Sequence, residues 1–135
     1  MPGMFCWSAE NEVFLPEIDA EHRALFLGGR ELSRAIAAGA SPDKLQEGMR
    51  NILVLAEVHF LHEEQLMEAS GFQSRDWHRT QHDAVRRRAG ETDPRDPESI
   101  AALLKYVEKW LNDHTAVADR IMASHLRNWA RRKAA

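Results

Sequence analysis

Apolar residues recur at intervals of three and four along most of this chain, the spacing of helices that bury one face. Four such stretches are separated by short breaks. The first, "AEHRALFLGGRELSRAIAA", opens near Asp19, a good N-cap residue type, and stops at Gly39. Its Gly28-Gly29 pair either weakens the helix or admits a neighbouring helix at short range. The second follows Ser41-Pro42-Asp43, which supplies an N-cap, a proline at the first helical position and a first-turn acid, and ends before Gly71. The third opens at Ser74-Arg75-Asp76 and closes on Arg86-Arg87-Arg88 before Gly90. The fourth follows Asp96-Pro97-Glu98 and runs through "IAALLKYVEKWLNDHTAVADRIMASHL". No stretch alternates with period two, so no strand is expected.

Four helices joined by short loops predict an all-α, antiparallel, up-down-up-down four-helix bundle. The first 16 or so residues carry Trp7, Phe14 and Pro16 without helical period and read as an ordered N-terminal arm. The expected organisation is one domain over 1–135, with the arm at 1–18, the bundle at about 19–125 and a basic tail at 126–135. The 135 residues, 44% of them hydrophobic, suffice for one core. A net charge of −3 gives no electrostatic case for nucleic acid, and cations at 86–88 complement a helix C-terminus. No apolar run approaches the roughly 20 residues that span a bilayer, so no membrane insertion is expected. The lone Cys6 and an N-terminus without a signal-peptide pattern suit a cytoplasmic protein, with Cys6 inert.

The chemistry enters with "HFLHEE" at 59–64, which interrupts an apolar helix with four ionisable groups. Desolvating such groups costs several kcal/mol unless something pairs with them. His59 and Glu63 lie four apart and share a helix face, as do His78 and His82. His114 and Asp119 lie five apart, about 140° around a regular helix, and His22 stands near the start of the first helix. Each helix thus offers at least one donor. Five imidazoles and two carboxylates are too many for a single zinc ion. Two six-coordinate ions bridged by both carboxylates leave three positions; a solvent-derived bridge takes two of them and one stays open for a small ligand. Imidazole-rich, carboxylate-bridged sites suit iron best among redox metals, with manganese and zinc also compatible by ligand type.

The order His, His-x3-Glu, His-x3-His, His-x4-Asp resembles the hemerythrin family, and specifically its single-domain bacterial members. The pieces are "IDAEH" ending at His22, "HFLHE" from His59 to Glu63, "HRTQH" from His78 to His82 and "HTAVAD" from His114 to Asp119. Trp7 and "EEQLM" at 63–67 are similar to the family too, so the likeness covers about residues 7 to 122. In place of the family's common Tyr-Pro turn stands Gly71-Phe72-Gln73. The resemblance implies two iron ions with an oxo or hydroxo bridge. His78, His82 and His114 would hold one iron, His22 and His59 the other with its open position, and Glu63 and Asp119 would bridge. It also implies a dry oxygen pocket lined by Leu25, Phe60, Trp110, Leu111 and Val117.

The implied function is reversible O2 binding for storage, delivery or scavenging, with O2 as partner and no enzymatic step. The alternatives are an oxygen or redox sensor acting through a partner in trans, or a di-iron oxidase or peroxidase. Ferritin-like oxidases carry paired Glu-x-x-His motifs, and this chain has none. His62 is expected at the rim, Glu64 as a surface or outer-shell acid, and His125 in solvent.

Overall fold

The structure is a computed structural model that describes residues 5–135. Its helices are α1 (Pro16–Ala37), α2 (Pro42–Ser70), α3 (Arg75–Gly90), α4 (Pro97–His114) and α5 (Arg120–Ala134). A π-helical turn, Thr115–Asp119, joins α4 to α5, so these three segments make one long fourth rod. α1 packs on α2 and α4, and α3 closes the square against the same two helices. This is the all-α, up-down-up-down four-helix bundle the periodicity predicts, and the described residues contain no strand.

Local chemistry sets the helix ends and hence the depth at which each side chain sits. Ser41 Oγ accepts a hydrogen bond from the Lys44 N–H at 3.3 Å, with Pro42 in the first turn. Gly71 ends α2 in the left-handed region at φ 67°, and the Phe72 N–H returns to the Met67 carbonyl at 3.0 Å. Asp96 Oδ1 accepts from the Glu98 N–H at 3.0 Å and starts α4. α1 departs from expectation at its start. It begins at Pro16, and Asp19 lies inside the first turn. The Asp19 carboxylate reaches back to accept from the Val13 and Phe14 N–H groups at 2.9 and 3.1 Å. It therefore anchors the arm to the helix rather than capping it. Residues 126–134, read as tail, continue α5 as helix.

Among its described residues the arm is tied down throughout. A 3-10 turn at Ala9–Asn11 follows Trp7, and Arg120 donates to the Ala9, Glu10 and Glu12 carbonyls. Buried Phe5 meets Phe26 edge-on at 6.2 Å and lies flat against Gly29. The close approach that the glycine pair suggested is thus made at Gly29 by the arm, while Gly28 meets Ile52 and Leu55 of α2 at ordinary contact distance.

The apolar core falls into two parts. A large cluster containing Leu25, Phe26, Ile52, Leu103, Leu104 and Leu111 fills one end of the bundle. Smaller clusters, with Met67, Phe72, Met122 and Leu126 in one and Val13, Ile18 and Ala123 in the other, fill the opposite end. Between them lies a buried polar layer.

A methyl group at position 29 would stand 2.6 Å from the Phe5 ring, so Gly29→Ala must expel or tilt that ring. The expected cost is about 1–3 kcal/mol, that of overpacking. Chemical denaturation should show it, with Gly28→Ala as a milder control.

Candidate metal centre

The polar layer consists of His22 from α1, His59 and Glu63 from α2, His78 and His82 from α3, His114 from α4 and Asp119 from the π turn. None of the seven is more than 4% exposed. Their donor atoms fall into two groups: Glu63, His78, His82, His114 and Asp119 in one, His22, His59, Glu63 and Asp119 in the other. Both carboxylates belong to both groups. Glu63 Oε1 faces His78 and His82 Nε2 at 3.2 and 3.0 Å, while its Oε2 faces His59 and His22 Nε2 at 3.0 and 3.5 Å. Asp119 Oδ1 faces His78 and His114 Nε2 at 3.1 and 3.0 Å, and its Oδ2 faces His22 Nε2 at 3.0 Å.

These contacts have hydrogen-bond lengths, yet many lack hydrogen-bond alignment. Both Asp119 oxygens, Glu63 Oε2 and His22 Nε2 are buried with no aligned hydrogen-bond partner. His78 and His114 turn their Nε2 atoms to each other at 3.1 Å. The lone pairs converge on two points between the atoms rather than on one another. Leaving such groups unsatisfied costs on the order of 1–3 kcal/mol each, more when charged. A cation at each focus removes that cost, and the oxygen and imidazole donors with shared carboxylates fit two iron ions.

The convergence of Asp119 with His114 depends on backbone irregularity. In a regular α-helix, positions five apart diverge by about 140°. The π turn over Thr115–Asp119 makes five residues span close to a full turn, which stacks Asp119 above His114. Asn11 of the arm supports this turn, donating from Nδ2 to Asn112 Oδ1 at 3.1 Å and Thr115 Oγ1 at 3.2 Å.

Outside the seven lies a ring of groups that orient them. His59 Nδ1–H donates to Glu21 at 2.7 Å, and His82 Nδ1–H donates to Glu64 at 2.8 Å. Each carboxylate fixes the tautomer that turns Nε2 inward. His62, expected at the rim, is only partly exposed and holds the second Glu21 oxygen at 2.7 Å. Glu64 in turn meets Arg86 at 2.9 Å, so that arginine has a job beyond complementing a helix end. The expectation of a solvated His125 is wrong: its Nε2 bonds Ser70 at 3.1 Å and its ring packs on Phe72. Glu21 and Asn11 were missed in sequence. Their spacing from their own neighbours says nothing about partners on other helices.

One helical turn from the cage lies an apolar cavity of about 20 Å³, room for one water-sized molecule. Leu25, Phe60, Trp110 and Leu111 are among its lining residues. Phe60 stacks on His82 at 4.2 Å and Trp110 stacks on His114 at 4.2 Å, which fixes both imidazole planes. Val117 does not line it. It is 58% exposed, because the wider π turn that carries Asp119 inward turns Val117 outward.

In the metal-free protein the cage is an ion cluster. Burial opposes protonation of His22, His59 and His78, but the contacts with Asp119 and Glu63, and for His59 also Glu21, raise them to about 9, 10 and 9. Burial likewise opposes ionisation of Glu63 and Asp119, and the surrounding imidazoles hold both below the usual carboxylate range. Raised histidines contribute stability that is complete below their ordinary 6.5 and is lost as pH rises through 9 to 10. Depressed carboxylates contribute above their ordinary 3.8 and 4.5, a contribution lost as pH falls through their lower folded values. Chelator-stripped protein should therefore melt progressively lower as pH rises from about 6.5 toward 10. Circular-dichroism melts across that range test it, and a flat alkaline limb contradicts it.

Comparison with known proteins agrees with this geometry. The family model described as "Hemerythrin HHE cation binding domain" matches residues 13–126. A myohemerythrin from Theromyzon tessulatum is 31% identical over 120 residues, covering 88% of this chain and 91% of that protein. A bacteriohemerythrin from Clostridium acetobutylicum is 29% identical over 125 residues, covering 87% and 97%. A hemerythrin from Themiste dyscrita is 31% identical over 119 residues, covering 88% and 91%. With a matching domain model, relatives aligned over nearly their full length and a seven-donor cage suited to two irons, the chain belongs to the hemerythrin family.

Proposed function

We propose that His78, His82 and His114 hold one iron and His22 and His59 the other, with Glu63 and Asp119 spanning both, and that the protein binds O2 reversibly for storage, delivery or scavenging. The observation that carries this reading is a pair of donor groups sharing both carboxylates, set one turn from an apolar cavity. We read the chain as a single hemerythrin-like unit, its arm and C-terminal helix included.

A reduced iron pair held by these residues would supply the redox chemistry for reversible O2 binding. The protein supplies the surroundings. The two-histidine group has one imidazole fewer than its neighbour, which supports assigning the free position to it. Leu25, Phe60, Trp110 and Leu111 bring aliphatic and aromatic side chains to the cavity, so no carboxyl or hydroxyl group of the wall stands ready to donate a proton. Excluding water and acid suppresses loss of reduced oxygen to solvent. Glu21 and Glu64 hold the His59 and His82 rings with Nε2 inward. Stacking by Phe60 and Trp110 restrains the rings of His82 and His114.

Protein with its iron content determined, reduced anaerobically and then exposed to O2, should show two irons per chain. It should also show a visible charge-transfer band that vanishes on removing oxygen and returns with it. Rapid irreversible oxidation would point instead to the sensor or oxidase reading. His114→Ala removes one of three imidazoles from its group and should lose iron or stable oxygen binding; unchanged binding would overturn the ligand assignment.

A further inference from the structure

The cavity beside the cage has one thin wall. Leu53, Ala56, Phe60 and Val85 line both it and a surface pocket of about 190 Å³ between α2 and α3. Glu57, Arg86 and Ala89 complete that outer pocket. Two other surface pockets share a single residue each with the cavity, Ile52 in one case and Leu53 in the other. Of the remaining lining, Leu25, Leu103, Leu104 and Leu111 are at most 3% exposed, while Val107 and Trp110 of α4 are partly exposed. Between α2 and α3 one layer of side chains, shared by four residues, separates the cavity from a pocket open to solvent.

Phe60 is the large member of that layer, and its outer surroundings are organised. The Arg86 guanidinium lies over the Phe60 ring, 5.3 Å from its centroid. Glu57 grips the same guanidinium with both oxygens, from Nε at 2.9 Å and from Nη2 at 3.0 Å, a two-pronged arrangement with strong directional preference. Arg86 Nη1 also meets Asp83 and Glu64, each at 2.9 Å. A cation seated on the ring and held by three carboxylates restrains the swing that Phe60 needs to connect the two spaces.

From the O2-binding reading above and this juxtaposition, we infer that the α2–α3 pocket is the port by which O2 reaches the cavity, with Phe60 as its gate and Arg86 as the latch. An apolar diatomic crosses such a layer when one ring rotates, whereas water gains no hydrogen-bond partner on the far side. The latch sets how often the gate opens and so acts on entry and exit alike. Such a device alters rates and leaves the equilibrium unchanged.

Two variants outside the donor cage test this. Glu57→Ala releases the two-pronged hold on Arg86 without touching the Glu64–His82 contact, and Ala89→Leu fills the mouth of the port. On iron-loaded protein, stopped-flow O2 association and dissociation should both speed up severalfold in Glu57→Ala, with affinity unchanged to within about twofold. Both rates should slow in Ala89→Leu. Hyperpolarised xenon NMR reads the same traffic without iron chemistry, and xenon exchange with the cavity should shift in the same directions. Unchanged xenon exchange in both variants overturns the port. A changed O2 affinity with unchanged xenon exchange overturns the latch and makes Arg86 a support for His82 through Glu64. Failure to bind O2 reversibly would defeat the functional reading alone, since the xenon comparison decides the port independently.

Discussion

Two carboxylates and five imidazoles, all buried, occupy the middle of a small helical bundle with apolar clusters on either side. Burying even one unpaired carboxylate is strongly unfavourable, and among the described residues no lysine or arginine pairs with Glu63 or Asp119. The layer is tolerable only if cations sit where the lone pairs converge, or if imidazoles take up protons in their place. Most of the architecture serves that need. Caps at Ser41 and Asp96 and the left-handed stop at Gly71 fix where each helix begins or ends, and hence which turn of each reaches the common layer. Glu63 and Asp119 then divide their oxygens between the two groups, which is what makes the site a pair rather than two separate ions.

What could be read from sequence was whatever depends on regular periodicity or on local end-chemistry. His59 with Glu63 and His78 with His82 are four apart, so any α-helix presents them together. The Ser-Pro-Asp and Asp-Pro-Glu starts and the Gly71 stop act through adjacent backbone, and their signals survive in one sequence. The π turn did not announce itself. No glycine or proline lies within Thr115–Asp119, and counting at 100° per residue leaves Asp119 pointing away. Val117 was expected at the pocket from the family resemblance, and the same turn carries it outward. Glu21, Asn11 and Arg86 escaped for another reason: each acts across the bundle, on His59, on Asn112 with Thr115, and on Phe60 with Glu64 respectively. Such partners follow from tertiary packing.

The arm's role follows from the irregular turn. A π-helical insertion widens the helix and strains its hydrogen bonding, so it needs anchorage from outside. Asn11 supplies it from one side of His114 with bonds to Asn112 and Thr115, and Arg120 ties the rod just past Asp119 to three arm carbonyls. Trp7, between Arg23 and Phe26, lays its ring near His22. The arm thereby couples the start of α1 to the turn that carries Asp119. The N-terminal segment is a structural member of the site although it supplies no donor atom.

A site that holds a small apolar ligand next to oxidisable ions faces opposing demands, since the space must exist and must remain dry. An apolar void of about 20 Å³ costs roughly 0.5 kcal/mol at about 24 cal/mol per Å³, a small charge on the stability of a domain. A polar group in the wall would give water the partners it needs to stay, and with water comes the proton source that the chemistry must avoid. The chain resolves this by separating the functions in depth. Hydrogen-bonding capacity is concentrated in the cage and in the Glu21 and Glu64 ring behind it, the turn adjacent to the cage is apolar on all four helices, and charge returns only at the surface around Arg86. Polarity therefore alternates from cage to cavity to surface, an order that under the proposed reading admits an apolar ligand across the middle layer and holds water back.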